Sequence, residues 1–233
     1  MKIIIIRHGD PDYSIDSLTE KGWREAELLS YRLINEDVDD FYCSPLGRAM
    51  DTASPTLKRL GKEAEILEWL HEFRGTIVSP FTGNTRVCWD LPPSIWCADE
   101  RYYDIKRWDK TELMTSGDSS MFFKETTDGV DALLERYGWR RNGMAYCCGE
   151  DVTIALVCHF ALGITVMSYL LGISPVVAQN NFYLAPSSVT TLVSETDASG
   201  VAHFRAIGVG DISHLYIQGE PMSESGLYPC FEK

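Results

Sequence analysis

The chain opens with Lys2-Ile3-Ile4-Ile5-Ile6, an apolar run that is continuous rather than alternating, and the run stops at Arg7-His8-Gly9. A continuous β-branched segment suits a strand covered on both faces. A second such run, Asp151 to Cys158, stops at His159. Between them the period changes. Apolar residues at Trp23, Ala26, Leu29 and Leu33 or Ile34 predict a helix opened by Leu18 to Gly22, with Thr19 as its cap. Asp40 to Cys43 reads as a short strand running into Ser44-Pro45-Leu46-Gly47-Arg48, with Ser44 as N-cap and Pro45 as first helical residue. That helix is expected to reach about Leu60 and close at Gly61, with a kink or break near Ser54 because of Pro55. Glu65 to Leu70 suggests another strand. Helical spacing returns over Ser119 to Tyr137 and over Ala161 to Leu171, the latter stopped by Gly172. Ser188 to Ser194 and Ala202 to Ile207 read as paired strands joined through Asp197 to Gly200.

Strands alternating with helices predict an α/β fold, a three-layer sandwich with a mostly parallel, mixed central sheet and helices on both faces. We read residues 1–233 as one domain. Residues 74–121 break the pattern: prolines and glycines punctuate them, and Trp89, Trp96, Tyr102, Tyr103 and Trp108 are scattered through them. Such an aromatic stretch is expected to be an ordered, substrate-covering insertion rather than a linker.

Charge narrows the range of partners. The 233 residues carry 21 Lys and Arg against 34 Asp and Glu, a formal net charge of -13. With no dense basic stretch, nucleic acid and anionic membranes are excluded as expected partners. Any anion site must then be a local cationic pocket, so individual Arg and His positions become informative. The apolar stretch Phe160 to Ile173 is too short for a bilayer span. The N-terminal run is too short for a signal peptide. Seven cysteines, an odd number and without a CxxC pair, point to a reducing, cytoplasmic setting. Adjacent Cys147 and Cys148, with His203 and His214 elsewhere, do not make a recognised zinc spacing, and no metal or cofactor is expected.

The candidate chemistry sits where strands end. Arg7-His8-Gly9, Ser44 to Arg48 and His159 each follow a predicted strand, the edge at which open α/β sheets gather ligand groups. Two guanidinium groups can hold phosphoryl oxygens with fixed, charge-assisted hydrogen bonds, and a neutral imidazole has a lone pair with which to attack phosphorus. Taken singly, each residue also has a bland reading: a chance triplet, a solvated helix arginine, a hydrogen-bonded loop histidine.

In this order the motifs resemble those of the histidine phosphatase superfamily, which contains cofactor-dependent phosphoglycerate mutases and many small-molecule phosphatases. The resemblance runs over nearly the whole chain. It rests on Arg7-His8-Gly9, on Leu18-Thr19-Glu20-Lys21-Gly22 with Ala26, and most specifically on Ser44-Pro45-Leu46-Gly47-Arg48-Ala49-Met50-Asp51-Thr52-Ala53. Leu70-His71-Glu72 before Gly75, His159 with Leu170-Leu171-Gly172, and Asn181 with Ser188 to Leu192 extend it. The resemblance implies a phosphoglycerate mutase-like fold and a metal-independent phosphomonoesterase of the histidine acid type, acting through a phosphohistidine intermediate. It implies His8 as nucleophile, Arg7, Arg48 and His159 as phosphate clamps, and Glu72 as the acid on the leaving oxygen, with Glu100 and Asp99 as alternatives. Asp10-Pro11-Asp12-Tyr13-Ser14 departs from the Glu-Thr and nearby Asn of many relatives and favours a phosphatase over a mutase. The expected substrate is a small phosphorylated metabolite. Asp10, Arg74, Arg86 and Arg101 are candidate substrate contacts, and homodimerisation is left open. The alternatives are a mutase-like phosphotransferase and a phosphate-binding regulatory protein.

Overall fold

The computed structural model describes residues 1–89 and 91–227. Its central sheet has eight strands: β1 (Lys2–Arg7), β2 (Asp40–Cys43), β3 (Ala64–Ile66), β4 (Arg140–Asn142), β5 (Ala145–Cys147), β6 (Thr153–Cys158), β7 (Val189–Thr196) and β8 (Val201–Asp211). Their order across the sheet is β3-β2-β6-β1-β7-β8-β5-β4. The half from β3 to β1 is parallel and carries the candidate chemistry; from β1 onward to β4 every pairing is antiparallel.

The five long helices are α1 (Glu20–Leu33), α2 (Gly47–Leu60), α3 (Ser119–Glu135), α4 (Phe160–Leu171) and α5 (Pro175–Asn181). The pleat of β1 explains the two cores. Ile4 and Ile6 face a cluster with Leu29 and Leu33 of α1 and Ala49 and Ala53 of α2. Ile3 and Ile5 face the larger cluster, with Leu133 and Leu134 of α3 and Ala161 and Leu162 of α4. A continuous apolar run is what a strand between two such layers requires.

The insertion joins the larger core. Cys88, Leu91, Tyr102, Trp108 and Met114 are buried there, around a hairpin of Thr76–Val78 and Thr85–Val87 and several short turns. Among the described residues no helix is long and apolar enough to cross a membrane, and Cys43, Cys97, Cys147, Cys148 and Cys158 carry free thiols. Cys230 lies outside the described residues.

Several local expectations change. Thr19 caps α1 through the Gly22 amide, but Trp23 is exposed and Gly22 takes the buried position. A Cβ on Gly22 would sit 2.2 Å from the Asp10 carbonyl oxygen, so only glycine lets the helix start touch the loop after β1. Ser44 is not the N-cap of α2; Leu46 is, and the helix begins at Gly47. Nor does Pro55 break it. The Asp51 carbonyl that proline leaves without its amide accepts the Ser54 hydroxyl at 2.9 Å, and α2 continues to Leu60. The stretch after Glu65 is strand only to Ile66, then a single 3₁₀ turn over Glu68–Leu70.

Candidate active site

Strand register brings the three loops together. Arg7 pairs across to Cys158, and Val157 to Cys43, so β1, β6 and β2 end level with one another. The His8 amide donates to the Cys158 carbonyl at 3.0 Å and the Ser44 amide to Val157 at 2.9 Å. His8, Ser44 and His159 therefore leave the sheet side by side. The imidazoles of His8 and His159 have their ring centres 5.1 Å apart, and both residues are buried along with Arg7.

Hydrogen bonds fix what each ring can do. His8 Nδ1 lies 2.7 Å from the Gly9 carbonyl, which can only accept. The ring proton is thus on Nδ1, and Nε2 keeps the lone pair. Burial, then the Arg7 charge, lowers the His8 pKa to about 3, so the ring stays neutral through the working range. His159 Nε2 lies 2.7 Å from Ser44 Oγ, which already accepts from the Leu46 amide. Donation of the Ser44 proton to Nε2 satisfies both groups and leaves Nδ1–H of His159 as a donor. Burial and the neighbouring cations hold His159 neutral as well.

The two arginines are anchored at one end. Arg7 donates Nη1 to the Leu184 carbonyl at 2.6 Å and Nη2 to Ser225 at 3.0 Å. Arg48 donates Nη1 to Asp16 at 2.6 Å. Arg7 Nε, Arg48 Nε and His159 Nδ1 are buried without a hydrogen-bond partner. Buried donors left open in this way are costly unless a ligand satisfies them. A bound oxyanion would supply the acceptors they lack.

Glu72 completes the set from another direction. Its Oε1 accepts from the Phe73 amide at 2.8 Å and from Leu162, in the first turn of α4, at 3.0 Å. Burial raises its pKa against those amides and against Arg7, so the carboxyl keeps its proton to higher pH than an ordinary glutamate. Neighbouring His71 turns its Nδ1 to the Glu72 carbonyl, and its Nε2 lies 3.6 Å from Glu125.

Residues 3–81, which include His8, Arg48 and Glu72, match the family model of the Histidine phosphatase superfamily (branch 1). Over that third of its length the chain is similar to the histidine phosphatase superfamily. A 2,3-bisphosphoglycerate-dependent phosphoglycerate mutase of Thermoplasma acidophilum is 44% identical over 64 residues, 23% of this chain and 32% of that protein. A probable phosphatase of Schizosaccharomyces pombe is 37% identical over 67 residues, 25% of this chain and 32% of that protein. The chain thus matches about a third of the length of these relatives. Among solved structures, a mycobacterial glucosyl-3-phosphoglycerate phosphatase superposes with a TM-score of 0.59 at 22% identity, over 89% of this chain and 97% of that one, which speaks for the shared fold. His159 lies beyond the family match, and its place beside His8 comes from the geometry.

The remaining candidates lie elsewhere. Asp10 commits its carboxylate to Thr19 at 2.7 Å and Ser223 at 2.5 Å, and its amide to Glu25. It pins the loop to α1 and to the C-terminal segment. Arg74 is exposed, Arg86 is half-buried in the insertion hairpin, and Arg101 is paired with Asp99 and Glu112. Asp99 is committed to that pair, and Glu100 is exposed near Arg107.

No motif in the sequence marks Asp16. Held in the left-handed region at φ 48°, it receives the Gly47 amide at 2.8 Å and Arg48 at 2.6 Å. Substitution Asp16→Ala is expected to lower kcat/KM about tenfold by loosening Arg48, the usual scale for a hydrogen bond to a charged group. Steady-state kinetics check this, and a gain in kcat/KM would show that the carboxylate competes with substrate instead.

Glu25 carries a pH signature. It is fully buried behind Asp10, and burial raises its pKa from 4.5 to about 7. A folded pKa above the unfolded one means its stabilisation is complete below about pH 4.5 and is lost as pH rises through 7. The loss is roughly 3 kcal/mol by the one-unit conversion. Urea melts of Glu25→Gln between pH 5 and pH 8 should show this slope removed.

Proposed function

We propose that the chain is a metal-independent phosphatase of small phosphomonoesters working through a phosphohistidine on His8. The observation that carries the reading is the trio of unpartnered buried donors, Arg7 Nε, Arg48 Nε and His159 Nδ1, around an imidazole whose lone pair is on Nε2. Nε2 attacks phosphorus as the phosphorus–oxygen bond to the alcohol breaks, and Glu72 gives its proton to the departing oxygen. Water then gives a proton to Glu72 and attacks phosphorus, releasing phosphate and restoring His8. Arg7 and Arg48 supply the positive charge that the transferring group requires.

Among the relatives a mutase and phosphatases both appear. Hydrolysis is favoured here by the loop after Gly9, where Asp10 to Ser14 replace the superfamily's Glu-Thr and Asn. A setting that keeps thiols reduced suits Cys43, Cys97, Cys147, Cys148 and Cys158, and we place the protein in the cytoplasm. The test is phosphate release from a broad panel of phosphorylated metabolites, without a bisphosphate primer and after treatment with EDTA. Release undiminished by EDTA is expected. Turnover that requires a bisphosphate primer would assign the chain to the mutases, and phosphate binding without release would make it a regulatory binder.

A further inference from the structure

Phe160, directly after His159, faces the Arg7 guanidinium at 5.0 Å and packs at 5.9 Å against Tyr183. These two rings belong to a cleft of about 210 Å³ whose other aromatic walls are Trp89, Trp96 and Phe182. Its Trp89 wall leads to the acid: Trp89 meets the Phe73 ring at 6.1 Å, and Phe73 follows Glu72 and donates its amide to that carboxyl. One wall of the cleft, Phe160, thus touches Arg7, and another, Trp89, touches the residue that follows Glu72.

None of the described residues lining the cleft is charged. Arg101 is tied to Asp99 and Glu112, and Arg74 is exposed and does not line it. We propose that this cleft is the leaving-group subsite and that it selects phosphomonoesters of alcohols carrying one flat, uncharged ring. The inference rests on the phosphatase reading above and adds the substrate class to it. A carboxylate entering such a cleft would lose hydration and meet no charged side chain among the described residues that line it, a penalty of several-fold to many-fold in affinity. A ring gains edge and face contacts with the tryptophans instead. A cavity of about 150 Å³ suffices for a benzene-sized group, so this one holds a single ring and little more. Asn180 and Asn181 each donate one amide N–H to the Val176 and Val177 carbonyls. Each keeps a second N–H and its carbonyl oxygen, which suits a hydroxyl on the ring. The class differs from the phosphoglycerates named in two of the relatives.

The test uses the full-length protein and three substrates with poor alkoxide leaving groups: benzyl phosphate, glycerol 3-phosphate and 3-phosphoglycerate. Benzyl phosphate should exceed 3-phosphoglycerate in kcat/KM by about tenfold or more, on the scale of one aromatic contact pair or two. Trp96→Ala and Phe182→Ala should each lower that value for benzyl phosphate by a larger factor than for glycerol 3-phosphate, and circular dichroism checks that the variants fold. Equal losses on all three substrates, or preference for 3-phosphoglycerate, would overturn the proposal. Calorimetric binding of benzyl phosphate to His8→Ala gives a readout independent of turnover. Binding there that Trp96→Ala weakens, with no hydrolysis by the wild type, would overturn the phosphatase reading and leave the cleft assignment standing. Absence of ring-dependent binding would overturn the cleft assignment itself.

Discussion

Replacing His8 by alanine is expected to abolish turnover, with kcat/KM falling by on the order of 10⁴-fold or more, as when a nucleophile is removed from a working set. The geometry gives no substitute. His159, the other imidazole of the pair, has its Nε2 engaged with Ser44, which leaves its Nδ1–H as a donor. Burial and the surrounding cations keep it neutral, so it is suited to hold an oxygen rather than to attack phosphorus. The variant should still bind inorganic phosphate, because Arg7, Arg48 and His159 remain. Parallel measurements of kcat/KM and of phosphate binding by calorimetry check both halves. Residual turnover near wild type would place the nucleophile elsewhere.

For Glu72→Ala the loss should depend on the leaving group. With alkyl phosphates, whose oxygen needs a proton, we expect a decrease of about 10²- to 10⁴-fold, the usual contribution of a positioned acid. With p-nitrophenyl phosphate the first step needs no proton, so activity is partly recovered; activation of water in the second step still suffers. The pH profile gives a second check. Burial raises the Glu72 carboxyl, so the acid form dominates below its folded pKa and is lost as pH rises through it. In the wild type, kcat/KM for alkyl phosphates should therefore fall on the basic side. His8, neutral down to about pH 3, adds no limb between pH 4 and that point. Glu72→Gln should lose the basic limb. Equal losses on both substrate types would remove Glu72 from the acid role.

Much of this architecture is legible in the sequence because the informative residues are short-range. The isoleucines of β1 and the apolar run of β6 announce buried strands, and the residues at their ends announce the chemistry. Gly61 and Gly172 close α2 and α4 in the left-handed region where the sequence places them. What the sequence does not carry is pairing at a distance. The hairpin of β4 and β5 has three-residue strands with an arginine-rich edge, too short for a period to show. Helix α5 is two turns long, and its Ser174-Pro175 start is its main local signal. The roles of Ser44 and Asp16 depend on partners 115 and 32 residues away, and a helix-start motif at Ser44-Pro45 suggests capping when the hydroxyl is in fact turned to His159. Asp10 reads as a ligand contact by proximity to His8, yet its oxygens meet Thr19 and Ser223. Proximity along the chain gives no direction to a side chain.

One measurement bears most directly on the central claim that His8 Nε2 receives the phosphoryl group. Protein turning over a phosphomonoester is quenched in alkaline denaturant, which preserves phosphohistidine, digested, and its peptides sequenced by mass spectrometry. A phosphoryl group on His8, absent from His8→Ala and lost on incubation in water under native conditions, is the predicted result. Turnover with no trapped phosphohistidine at any time point, or a phosphoryl group on His159 instead, would contradict it.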